Sequence, residues 1–168
     1  MKKILIVLLF VGVAFLVSAE TAPAPAVDPA VQSQIDAIKG VLPKFAIPMR
    51  EVGDRFQNIW FAAKGGNWGL AAYMSKYMNN SMKPASLTKP AEYPSWATFY
   101  TNGFDGVNKA IAAQDFATFD SAYTKVIKSC NGCHAAMGYG FITVVKQKTP
   151  SDEGIDYSQA SQATDVPK

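Results

Sequence analysis

Apolar residues recur at spacings of three and four over four separate stretches of this chain. The first stretch runs from about Pro29 to Lys64 and contains Pro43 and Pro48. Its seam is Phe45, Met49, Val52, Phe56, Ile59 and Ala63, spaced 4, 3, 4, 3, 4, the a/d pattern of a helix in a bundle. Gly65-Gly66-Asn67 supplies the stop. A second helix is predicted from Trp68 to Met82. Lys83 to Pro94 holds three prolines and reads as a connecting loop. Ser95 is the expected N-cap of a third helix, Trp96 to about Ala113, weakened locally by Gly103 and Gly106. The fourth helix runs from about Asp115 to beyond His134, with the seam Phe116, Phe119, Tyr123, Val126, Cys130 and Cys133. Phe141 to Lys146 is short and reads as a frayed helix end. These elements predict an all-α fold, an antiparallel four-helix bundle.

The ends of the chain differ from its middle. Lys2-Lys3, an apolar stretch from Ile4 to Val17 and the small residues Ser18-Ala19 predict a secretory signal peptide over 1–19. Its apolar run is shorter than the ~20 residues that span a bilayer, so no stable membrane span is expected after cleavage. The Lys-Lys start fits export across a bacterial inner membrane, and the expected address is periplasmic. Residues 20–29 form an Ala/Pro-rich linker, 30–146 the helical domain, and 147–168 a polar tail expected to be disordered. Of the 16 basic residues, the 14 left without Lys2 and Lys3 nearly balance the 13 acidic ones. A near-neutral chain without a basic stripe gives no footing for nucleic acid.

Cys130-Asn131-Gly132-Cys133-His134 is C-x-x-C-H, the attachment sequence for c-type haem. Two thiols three residues apart can each add to one of the two vinyl groups of a porphyrin, and the next residue sets an imidazole under the iron. Gly132 lets the backbone pass close to the porphyrin edge. A C-x-x-C redox site expects a strand–helix context, which this chain lacks. A structural zinc site needs four ligands, against two cysteines and one histidine in the whole chain. The motif therefore predicts one covalently bound heme c, attached through Cys130 and Cys133, with His134 as the proximal iron ligand.

A single histidine excludes bis-His ligation, so the sixth position takes a methionine, a weaker donor or nothing. Met137 is three residues past His134 and cannot easily reach the opposite haem face. Met49, Met74, Met78 and Met82 stay open. Tyr123 and Val126, one to two turns before Cys130, are expected to touch the haem. With the histidine used as a ligand, His-based general acid–base catalysis is unavailable. No residue pattern suggests hydrolytic or group-transfer chemistry, and the chain is not expected to be an enzyme.

Over roughly residues 30 to 140 the sequence resembles the class II c-type cytochromes, cytochrome c′ and its low-spin Met-ligated relatives. The haem motif late in the fourth helix carries the resemblance. It implies a cytochrome c′-like bundle whose distal haem face is covered from the first helix. Met49 lies at that position, with Val52 and Phe56 on the same seam as further haem contacts. The family often has Arg or Lys shortly after the motif; here Ala135-Ala136-Met137-Gly138 has neither. Arg50 and Arg55, the only arginines, flank the distal position and offer propionate contacts. Pro48 disfavours helical geometry at Ile47. The resemblance implies an exported electron carrier with His/Met-ligated iron and redox proteins as partners. The alternative is a five-coordinate protein that binds small gases such as NO or CO. A homodimer through the first two helices is a further family expectation.

Overall fold

The computed structural model describes residues 27–166. The expected signal peptide and most of the linker lie outside the described residues. The described chain is mostly helical, without strands, so the class is all-α. No helix among the described residues is long and apolar enough to cross a membrane.

The first predicted helix is two. Asp28 caps α1 (Pro29–Val41), accepting from Ala30 N at 2.7 Å. The chain then breaks at Leu42, whose extended backbone (ψ 145°) is what a following proline demands. Helix α2 spans Ala46–Gly65. Pro48 falls in its first turn, where a missing N–H costs no hydrogen bond. Ile47 is therefore helical, contrary to the expectation from Pro48, and Met49 N–H bonds to Phe45 O at 3.0 Å. The split has a consequence for packing. Helix α1 buries no residue, whereas the α2 seam is buried at Val52, Phe56, Ile59 and Ala63, with Phe45 and Met49 half-buried at its start. Gly66 ends α2 in the left-handed region (φ 81°).

Asn67 then caps α3 (Trp68–Ser81), one residue short of the predicted end. Lys83 to Pro94 is not an open loop: it folds as a short α4 (Ala85–Thr88) and the start of α5 (Tyr93–Thr98). Pro84 and Pro94 sit at helix starts, where proline is tolerated. Helix α5 thus begins before Ser95, which caps nothing; Glu92 holds the N-cap without a side-chain bond. The third predicted helix is interrupted by a π-helical turn, Phe99–Gly103, before α6 (Asp105–Ala113). Phe104 N–H reaches back to Phe99 O at 2.9 Å. Gly103 lies against the Phe99 ring, where an added Cβ would come within 3.1 Å. Asp115 caps α7 (Phe116–Ala136) as the fourth helix predicts, accepting from Thr118 N at 3.1 Å.

Helix α2 packs on α3 and α7, and α6 packs on α3 and α7. The core between them centres on Ile59, Phe104, Phe119 and Tyr123, all buried. The Phe56 and Tyr123 rings stack at 4.1 Å and 8°, an offset geometry that adds to the area they bury.

Instead of the predicted disordered tail, the residues from 147 to 166 lie against α2 and α3. Ser151 N–H donates to Asn58 Oδ1 at 2.9 Å, and Asn67 Nδ2 donates to Asp156 O at 3.2 Å. Asn58 and Asn67 are buried, and buried amides require partners. The tail supplies them. Its polar composition, the reason to expect disorder, is what suits it to that task.

Candidate functional site

The last two turns of α7 carry Cys130, Cys133 and His134. Spacings of three and four place them on one helix face. Cys130 is half-buried against the core, while Cys133 is exposed, so the predicted seam leaves the core one turn early. Both thiols are free. Burial, with Cys133 beside it, pushes the Cys130 thiol up to about 11.

Helix α7 closes in a Schellman turn. Gly138 adopts φ 82°, Gly138 N–H bonds to Ala135 O at 3.2 Å, and Tyr139 N–H bonds to His134 O at 2.6 Å. The chain reverses there and runs back along α7. Phe141 to Lys146 is this return segment, not a frayed helix end. Its Ile142 carbonyl lies 2.9 Å from His134 Nδ1. A carbonyl oxygen only accepts, so the contact is a hydrogen bond donated by Nδ1–H, and in the neutral imidazole with that tautomer the Nε2 lone pair is left free. Asn131 bonds both ways to the Val144 backbone, at 3.0 and 2.7 Å. Lys146 ends the segment on the Asp120 carboxylate, with Nζ 4.3 Å from the Trp60 ring centroid. Trp60 Nε1 also donates to Asp120 at 2.6 Å. These two donors hold the Asp120 carboxyl below its usual range, Lys146 contributing most.

The four predicted haem contacts, Val52, Phe56, Tyr123 and Val126, all belong to the buried core, where Phe56 stacks on Tyr123. Tyr123 OH donates to Phe56 O at 3.2 Å, and burial pushes its hydroxyl pKa far up. Trp60 meets Asp120 and Phe56 meets Tyr123, so numbers fall along α2 as they rise along α7. One or two turns further, that register carries Met49 to the level of Cys130, and both are half-buried at the core margin.

The other open methionines differ. Met74 Sδ accepts from Arg55 Nη1 at 3.7 Å. Met78 and Met82 are buried in the core, and Met137, 43% exposed, caps α7. Arg50 is exposed and lies 4.0 Å from Asp54. Arg55 pairs with Glu51 at 3.2 Å, yet its Nε is buried without a partner among the described residues. Among these residues no group of three or more His, Cys, Asp or Glu is placed to hold a metal ion, so the site offers one imidazole and two thiols rather than a protein cage. The sequence reading missed Asn131, Ile142 and Val144. The one signal for them was Gly138, a stop residue just past the motif.

No family model, curated protein or solved structure matches this chain. The functional reading rests on its own residues.

Proposed function

We propose that this protein is an exported monohaem c-type cytochrome, an electron carrier built as a cytochrome c′-like antiparallel four-helix bundle. One observation carries the reading. Cys130, Cys133 and His134 share one face at the end of α7, and the Ile142 carbonyl holds the imidazole in the tautomer that leaves Nε2 free to ligate. Metal-ligating histidines are oriented by such a second bond as a rule. The donor set fits a haem. Two thiols suit two thioethers, one imidazole suits one axial position, and the buried Nε of Arg55 suits an anionic propionate.

The haem, when bound, supplies a one-electron couple. The chain does the rest. Cys130 and Cys133 would tether the group, and His134 Nε2 would hold the iron. Val52, Phe56, Tyr123 and Val126 give it an apolar wall that excludes water. Met49, level with Cys130, would offer a thioether to the iron, a ligand type that raises the potential. Partners in this reading are redox proteins in the periplasm.

Two measurements test it. Denatured mature protein should keep its pigment through acid–organic extraction, and its mass should exceed that of the chain by one haem. The oxidised protein should be low-spin with a weak sulfur-to-iron band. A pigment that washes out of an unmodified chain removes the haem reading. A high-spin protein that takes up CO or NO readily replaces the electron carrier with a gas-binding protein.

A further inference from the structure

We propose that Asn131 is a positioning residue for the axial imidazole: its amide grips the Val144 peptide and so holds the Ile142 carbonyl against His134. This deepens the haem reading and rests on it. Asn131 Nδ2 donates to Val144 O at 3.0 Å, and Val144 N–H donates to Asn131 Oδ1 at 2.7 Å. A carboxamide carries a donor and an acceptor side by side, so it can close two bonds on one residue's backbone; alanine and an ionised aspartate cannot. Thioether formation engages the two cysteines themselves and makes no demand on the side chain at 131. Asn131 lies between them, and the fold gives it this other use.

The placement follows from the helix. Asn131 and His134 are three residues apart and lie on one face of α7. Val144 and Ile142 are two residues apart on the return segment. The Asn131–Val144 and His134–Ile142 bonds are therefore neighbouring rungs between helix and segment. The segment from Ile142 to Gln147 belongs to no helix or strand. It is anchored by the Schellman turn at Gly138 and by Lys146 on Asp120. Between those anchors the amide clamp fixes the backbone that presents Ile142 O. A firmly held Nδ1–H···O bond makes Nε2 a stronger electron donor. Loosening the carbonyl weakens that donor and favours the reduced iron.

The test uses the mature, haem-loaded protein and Asn131→Ala. The variant should keep one covalent haem per chain and show a higher reduction potential. Its His134 Nδ1–H should exchange with solvent about tenfold faster, as expected for one weakened hydrogen bond. Val144→Pro removes one of the two clamp bonds, the one Val144 N–H donates, and leaves its carbonyl in place. It should move the potential in the same direction, and the double variant should move it no further than Asn131→Ala alone. A wild type without covalent haem overturns the function proposed above. A haem-bearing wild type whose Asn131→Ala form keeps its potential and exchange rate overturns only the role of Asn131. Hydrogen exchange in the wild type gives an independent reading: Val144 N–H should be protected, and exchange at the rate of a free amide removes the clamp itself.

Discussion

His134 is held twice by the segment that follows it: its Nδ1 meets Ile142 O at 2.9 Å, and its own carbonyl accepts from Tyr139 N–H at 2.6 Å. Side chain and backbone of the one histidine are thus tied to the same chain reversal. The reversal turns on Gly138, whose φ of 82° lies in the left-handed region that favours glycine.

Gly138→Ala should therefore cost about 1 kcal/mol of stability from left-handed strain alone. It should also disturb the imidazole, since the return segment starts there. Thermal unfolding and the oxidised spectrum of the same sample check both effects. An alanine variant with unchanged melting and spectrum means the turn is not what fixes His134.

Met49→Ala should abolish the sulfur-to-iron band and open the sixth site to CO. The surrounding seam stays buried through Val52 and Phe56, so the variant should fold. A band that survives assigns the ligand to α3. Met78, or Met82 at the C-cap, comes first there, because Met74 Sδ already accepts from Arg55.

Asp120 sets a pH dependence. Lys146 and Trp60 hold its carboxyl below the usual range, so the folded state binds the proton less readily than the unfolded chain. Its stabilisation is complete above the unfolded value, about 3.9. It is lost as pH falls through the lower folded value. Asp120→Asn should flatten the stability profile below about pH 4 and leave less to lose. Acid titration of unfolding in both proteins measures this. Parallel profiles mean the carboxylate contributes nothing, as is common for ion pairs this exposed.

Gly65→Ala should lift the C-terminal tail from the helices. An added Cβ at Gly65 would fall on the Tyr157 carbonyl, and a backbone group does not yield as a flexible side chain does. A cost of about 1–3 kcal/mol is expected for such overpacking, with faster proteolysis confined to residues after 147. Unchanged cleavage in that region would show that the tail does not bear on Gly65 in solution.

Tyr123→Phe should cost about 1 kcal/mol, the usual worth of a buried hydrogen bond, because Tyr123 OH donates to Phe56 O at 3.2 Å. The ring stack with Phe56 should persist, leaving the haem spectrum in place. Chemical denaturation with haem absorbance as a second probe separates the two.

The C-x-x-C-H motif, the helical class and most of the core were legible from residue order, because each depends on local spacing. A period near 3.6 marks a helix face wherever it occurs. Val52, Phe56, Ile59, Phe119, Tyr123 and Val126 are buried as that period predicts. The stop at Gly65–Gly66 and the Asp115 cap are equally local. Other features required the folded chain. The separation of α1 from α2 turned on whether packing would bridge Pro43, and α1 buries nothing. The tail from residue 147 looked unable to fold because it is short of large apolar groups, but it caps Asn58 and Asn67, amides about ninety residues away, and packs Ile155 and Tyr157 on the core. The grip of Asn131 on Val144, and with it the carbonyl under His134, spans a reversal whose direction no spacing rule encodes. Spacing records which side chains share a face. Where a backbone carbonyl ends up depends on the path of the whole chain, which only tertiary packing sets.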